Sequence, residues 1–88
     1  MILAPPPPII VKDDVFAPLA VTVKKGTTVT WKWRGKHKHN VAVAKGPATF
    51  RSKPRKSGSY SKKLTKPGTY MLLCTIHAPD MKMTLIVK

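Results

Sequence analysis

The chain has 88 residues and a formal net charge of +14, since 17 Lys and Arg residues face only three Asp and Glu. This length predicts one domain of marginal stability. The single cysteine excludes an internal disulfide, so a bound metal becomes the more useful stabiliser to look for. No apolar run reaches the roughly 18 residues that a membrane-spanning helix needs, and the charge favours anionic partners.

The N-terminal segment differs in composition from the remainder of the chain. Pro5 to Pro8 form a polyproline run, which predicts an extended, stiff spacer without internal hydrogen bonds. The four residues before it are too few for the apolar region of a signal peptide. Residues 1–8 are therefore predicted to be a tail or tether, and residues 9–88 to form the folded domain.

From residue 9 onward, apolar and polar residues alternate in short stretches that are separated by Gly and Pro turn signals. Seven stretches result, or eight if Asp13 and Asp14 divide the first of them, and no helical period of useful length is present. This pattern predicts an all-β fold, an antiparallel sandwich or barrel. The predicted strands lie at 9–17, 19–24, 28–34, 41–45, 60–64, 70–74 and 82–88. Within four of them, alternating apolar residues share one face, which is predicted to be the buried one. These residues are Leu19, Val21 and Val23; Val29, Trp31 and Trp33; Tyr70, Leu72 and Cys74; and Met83, Leu85 and Val87.

The longest segment without a strand pattern covers residues 48–58. Phe50 is predicted to point inward from it as an anchor, and residues 51–58 are predicted to hold a short helical turn. Trp31 and Trp33 share strand spacing, which predicts that both indoles pack in the core or against an edge.

The residues most indicative of function occur at 74–81, where the sequence reads Cys-Thr-Ile-His-Ala-Pro-Asp-Met. A tight loop after a strand would turn Cys74, His77 and Met81 toward one point. His39, from another strand end, would then complete a plane of one thiolate and two imidazoles. Such a plane with a weak axial thioether is the arrangement of blue-copper electron-transfer sites, because soft sulfur and imidazole together suit both Cu(I) and Cu(II).

At these positions the chain resembles the small cupredoxins of the plastocyanin, amicyanin and pseudoazurin group. The resemblance covers roughly residues 9–88, and the loop at 74–81 is its most specific part. The other matching motifs are Phe16-Ala17-Pro18, the segment from Lys25 to Trp31, His39-Asn40-Val41 and Gly68-Thr69-Tyr70.

The resemblance implies a Greek-key β-sandwich with one type 1 copper ion per chain and outer-sphere transfer of one electron. By the same resemblance, His39, Cys74 and His77 are the equatorial ligands and Met81 is the axial ligand. Asn40 is expected to tie the His39 strand to the Cys74 loop, and its backbone N–H to donate to the thiolate.

The resemblance and the charge also bear on partners and location. A redox protein with an acidic docking surface is the expected partner, because a basic surface steers an acidic one toward it. Contact with an anionic membrane or cell wall is a further expectation, whereas nucleic acid is not expected. The family implies an extracytoplasmic location, either periplasmic, at the cell surface or secreted.

Other interpretations of these residues remain open. Cys74 alone could be an inert buried thiol, and His37 could replace His39 as a ligand. Zinc also binds Cys and His, but it usually completes its tetrahedron with Cys, His or carboxylate rather than Met. Catalysis is not predicted, because three acids leave no carboxylate pair and four protein ligands leave no open metal position.

Two further functions stay open beside electron transfer. One is copper binding or delivery by a protein of the same fold. The other is a basic β-sandwich module that binds an anionic polymer or lipid.

Overall fold

The structure is a computed structural model that describes residues 7–12, 15–76 and 81–88. Within these ranges the chain forms eight strands and no helix, so the prediction of an all-β fold with seven or eight strands is confirmed. No helix suited to crossing a bilayer occurs in this part of the chain. The strands are β1 (Ile9–Lys12), β2 (Val15–Ala17), β3 (Ala20–Val23), β4 (Thr27–Trp33), β5 (Ala42–Lys45), β6 (Ser59–Leu64), β7 (Gly68–Leu73) and β8 (Lys82–Val87).

The strands form two four-stranded sheets with the orders β2-β1-β4-β6 and β3-β8-β7-β5. Most neighbours are antiparallel, as the sequence predicted, but β1 pairs with β4 and β3 pairs with β8 in parallel. Both sheets are therefore mixed. Alternation indicates which face of a strand is buried and carries no information on the direction of its neighbour, so the parallel pairs could not be predicted from it.

The core lies between the two sheets and is filled by every second residue of the longer strands. The inward positions predicted for β4, β7 and β8 are buried, whereas Leu19 is 62% exposed although the pattern predicted a buried position. Leu19 directly precedes β3, an edge strand, so the opposite sheet does not cover it. The buried residues of these three strands are Val29, Trp31, Trp33, Tyr70, Leu72, Met83, Leu85 and Val87.

Phe50 is half-buried and packs against the core as predicted. Its ring centroid lies 5.9 Å from that of Trp31, 6.1 Å from that of Tyr70 and 6.3 Å from that of Tyr60. Partial burial in this cluster raises the pKa of the Tyr60 phenol above its ordinary value of 10.0.

The helical turn predicted within residues 51–58 is absent, and that prediction is wrong. Arg51 and Arg55 instead form isolated antiparallel bridges with Ala42 and His39. An extended backbone here satisfies the polar groups of the segment that leads into β5, which a helical turn could not do.

The strand directions give the sandwich two distinct ends. β4 and β7 both run toward the end that carries His39 and Cys74, and β8 starts from that end at Lys82. We refer to it as the cysteine end. The turns that begin β4 and β7 lie at the opposite end, about 20 Å away, because β7 spans six residues at roughly 3.3 Å each.

Candidate metal centre

Cys74 directly follows β7 and continues its inward alternation, so its thiol is fully buried. The imidazole of His39 is also fully buried, and its Nδ1 lies 3.9 Å from the Sγ of Cys74. The fold thus brings together two of the predicted metal ligands, which lie 35 residues apart in the sequence.

Met81 is the third predicted ligand that the structure describes. It precedes β8 and has no exposed surface. The backbone N–H of Cys74 donates to the carbonyl of Met81 at 3.0 Å, which brings the two ends of the loop at 74–81 together. His77, the fourth predicted ligand, lies outside the described residues.

Asn40 connects the two segments that carry His39 and Cys74. Its backbone N–H points at the Sγ of Cys74 at 3.5 Å. Its side-chain Oδ1 accepts the backbone N–H of Thr75 at 2.8 Å, and its Nδ2 donates to the Thr75 hydroxyl at 3.0 Å. Asn40 itself is fully buried, and these bonds hold the two segments in register.

Two residues that the sequence did not assign to the site hold the backbone of His39. The indole N–H of Trp33 donates to the His39 carbonyl at 2.8 Å. The backbone N–H groups of His39 and Arg55 each donate to the carbonyl of the other residue at 3.0 Å. The guanidinium of Arg55 also lies 5.6 Å from the centroid of the Trp33 ring.

The sequence contained part of the signal for this arrangement. Alternation in β4 placed Trp33 in the core, but it did not indicate that its N–H would bond to a carbonyl six residues later. Arg55 carried no signal, because its segment showed no strand pattern and was predicted to hold a helical turn, whereas the bridge to His39 depends on the tertiary fold.

His37 is close to the site but differs in environment. Its side chain is exposed, and its ring centroid lies 6.4 Å from that of His39 in an edge-on arrangement. Burial therefore distinguishes the two histidines, with His39 inside the sandwich and His37 on its surface.

The three predicted ligands that the structure describes would together suit copper. They are one imidazole, one thiol and one buried thioether residue, and no group of three His, Cys, Asp or Glu placed to hold a metal ion occurs within the described ranges. Thiolate and thioether are soft donors that favour Cu(I), and imidazole suits Cu(II). The residues present thus fit a copper ion better than zinc, which rarely uses Met.

Comparison with known proteins gives a consistent result. Residues 11–88 match the family of copper binding proteins described as the plastocyanin/azurin family. Amicyanin-alpha of Methylorubrum extorquens is 36% identical over 72 residues, which cover 77% of this chain and 60% of the length of that relative.

Solved structures of similar proteins share the fold. An amicyanin variant in its Cu(I) form has a TM-score of 0.77 and 32% identity, over 92% of this chain and 82% of that one. A copper-containing nitrite reductase of Thermus scotoductus has a TM-score of 0.76 and 27% identity, over 97% of this chain but 23% of its own.

A purple cupredoxin of Nitrosopumilus maritimus has a TM-score of 0.74 and 23% identity, over 83% of this chain and 81% of its own, and it supports the fold alone. The family match extends over nearly all of the folded part of the chain, which also includes the buried pair of His39 and Cys74. This chain therefore belongs to the plastocyanin/azurin family of copper binding proteins.

Proposed function

We propose that this protein carries one electron at a time through a single copper ion. The observation that carries the proposal is the 3.9 Å approach of His39 Nδ1 to Cys74 Sγ in a fully buried setting. The amicyanin structures similar to this chain include an oxidised state and a Cu(I) form, which supports a redox role for the ion.

The ligands we assign are His39, Cys74 and His77 in the plane and Met81 on the axis, with His77 assigned from the sequence. Copper, when bound, supplies a reversible one-electron change. The protein's own contribution is to hold the ligands in place and to exclude water, because a site that moves little between oxidation states loses little energy in each transfer.

Asn40 has a further role in this proposal. A hydrogen bond from its backbone N–H to Sγ draws electron density from a thiolate and so favours the reduced ion. Its side-chain bonds to Thr75 keep that N–H aimed at the sulfur.

We propose a carrier rather than an enzyme. Four protein ligands leave no open coordination position for a substrate. The similarity to the nitrite reductase extends over only 23% of that chain, so it supports a shared domain and not a shared reaction. The second candidate is a copper-binding or delivery protein, which would use the same ligands without rapid electron exchange.

Cu(II) titration of the metal-free protein tests the proposal. We expect one equivalent of copper and an intense visible thiolate-to-copper band. That band should vanish in Cys74→Ser and in His39→Gln but persist in His37→Gln, the matched control two residues away. A protein that binds no copper would contradict both copper functions. Loss of the band only in His37→Gln would show that His37, and not His39, is the ligand.

Voltammetry of the copper-loaded protein separates the two copper functions. Fast, reversible exchange supports the electron carrier. Slow or irreversible exchange, together with ready transfer of the ion to a chelator, supports the delivery protein.

We further propose that the protein works outside the cytoplasm with a redox protein whose docking surface is acidic. The family membership supports the location, and the net charge of +14 supports the sign of the partner. Cell fractionation tests the location. An electron-transfer rate constant that falls as salt is added tests the charge of the partner.

A further inference from the structure

The end of the sandwich opposite Cys74 is covered by lysines, and we refer to it as the lysine end. Backbone hydrogen bonds assemble it from distant parts of the chain. The N–H of Lys25 donates to the carbonyl of Lys88, and the N–H of Lys88 donates to the carbonyl of Val23, both at 2.9 Å. Its exposed lysines are Lys24, Lys25, Lys62, Lys63, Lys66 and Lys88.

Acidic side chains that could neutralise these lysines are scarce in the sequence. The protein has only three, Asp13, Asp14 and Asp80, against 17 Lys and Arg residues. Six like charges at one end of a small domain produce a positive field that extends about one Debye length, near 10 Å at 0.1 M salt.

Part of the lysine end is concave. Three of its lysines, Lys62, Lys63 and Lys66, line a cavity of about 220 Å³ whose other walls include the rings of Phe50 and Tyr70. The phenol of Tyr70 donates to the backbone carbonyl of Lys66 at 2.7 Å, which fixes the turn that carries this lysine. A cavity lined by both lysines and aromatic residues suits a phosphate group attached to an apolar body.

The two described residues before β1 lie on the side of the lysine end. β1 runs parallel to β4, with Ile9 opposite Trp31 and Val11 opposite Trp33. The direction from Val11 back to Ile9 therefore leads toward Thr27, where β4 begins at the lysine end. Pro7 and Pro8, which precede Ile9, are exposed.

We propose that the lysine end is a docking surface for an anionic phospholipid bilayer. Lipid suits the observations better than nucleic acid does, because the cavity that these lysines line also includes the aromatic residues Phe50 and Tyr70. A protein docked in this way presents its cysteine end about 20 Å away from the membrane, free to meet a partner. This inference does not depend on copper binding, so the two proposals are tested independently.

Vesicle sedimentation of the full chain tests the proposal. We expect binding to vesicles of phosphatidylglycerol mixed with phosphatidylcholine and none to phosphatidylcholine alone. A triple variant with Lys62→Gln, Lys63→Gln and Lys66→Gln should bind the anionic vesicles more weakly by on the order of 100-fold, because each lysine near such a surface contributes roughly a factor of five.

The matched control removes three exposed lysines from the rest of the surface, with Lys38→Gln, Lys53→Gln and Lys56→Gln. Both variants have a net charge of +11, since 14 − 3 = 11. We expect the control to lose less than about tenfold, because its substitutions lie away from the docked face. Circular dichroism melting confirms that each variant is folded before its binding is compared.

Three outcomes would overturn the proposal. Equal losses in the two triple variants would mean that the total charge and not the lysine end is recognised. Equal binding to neutral vesicles would exclude an electrostatic surface. Binding of an oligonucleotide or a soluble polyphosphate with the same dependence on Lys62, Lys63 and Lys66, without binding to vesicles, would assign the surface to a soluble polyanion.

Discussion

Three hydrogen bonds hold the backbone of His39. The carbonyl of this residue accepts two hydrogen bonds, from the Trp33 indole and from the Arg55 backbone, and its N–H donates to the Arg55 carbonyl. A histidine held in this way keeps its ring aimed into the protein, beside the Cys74 thiol. The neighbouring Asn40 acts on the other partner of the pair, because its N–H points at the sulfur.

Two tryptophans on one strand allow the bond to His39 to be measured. Trp33→Phe removes the indole N–H that reaches His39. Trp31→Phe removes an equally buried indole whose N–H has no hydrogen-bond partner among the described residues. We expect Trp33→Phe to lower the free energy of unfolding by about 1 kcal/mol more than Trp31→Phe does, since only Trp33→Phe breaks a hydrogen bond. Urea denaturation of both metal-free variants gives the difference.

The same two variants can also be compared by their visible spectra, which a change in stability alone would not alter. In the copper-loaded protein, we expect Trp33→Phe to shift the visible thiolate-to-copper spectrum and Trp31→Phe to leave it nearly unchanged. Identical spectra in both variants would show that the bond to His39 supports the fold without affecting the metal centre.

At the scale of elements, the segment at 51–55 supports the site although it contains no regular strand. Arg51 and Arg55 bridge to Ala42 and His39. Between these two bridges, the buried Ser52 hydroxyl accepts the backbone N–H of Val41 at 2.9 Å. This segment thus supplies hydrogen-bond partners to His39 and Val41, where the chain passes from His39 into β5.

Ser52→Ala tests the contribution of this segment. The substitution leaves the buried N–H of Val41 without an acceptor, which costs about 1–3 kcal/mol. Ser57→Ala is the control, because it changes the same residue type at an exposed position. We expect it to change the free energy of unfolding by no more than about 0.5 kcal/mol. Thermal or urea unfolding measures both. Equal stabilities of the two variants would mean that water replaces the lost hydroxyl.

For the whole molecule, charge is the dominant feature. One positive charge about 10 Å from the metal favours Cu(I) over Cu(II) by roughly 0.4 kcal/mol in water-like dielectric. For one electron this is on the order of 20 mV, since about 59 mV corresponds to a factor of ten. Basic residues such as Arg34, Lys38 and Lys82 lie beside the proposed ligands in sequence and would raise the reduction potential together.

We therefore expect the reduction potential to fall as ionic strength rises, because salt screens the charges that favour the reduced ion. Voltammetry across a salt series measures this. The triple variant of the lysine end should retain most of the salt dependence, since Lys62, Lys63 and Lys66 lie at the far end of the sandwich. A potential that does not change with salt would contradict the prediction.

The sequence was sufficient for the class of fold and for much of the core. Alternation in β4, β7 and β8 marked residues such as Trp31, Leu72 and Leu85 as buried, because an apolar side chain on one face of a strand needs a cover. It also indicated Cys74 and Met81 within one loop and His39 upstream as candidate ligands, because metal-binding residue types are recognisable without a structure. The assignment of His39, Cys74, His77 and Met81 as ligands stays a prediction.

Tertiary structure decided what depends on contacts between distant segments. It made two strand pairs parallel, left Leu19 exposed at an edge, and paired residues 51–55 with the chain around His39 where a helical turn was predicted. It also bonded Trp33 to His39 and gathered six lysines at one end. The alternation of apolar and polar residues reports the environment of one strand at a time. Each of these features depends instead on which segment lies next to a given strand or loop, and only the packing of the two sheets determines that neighbour.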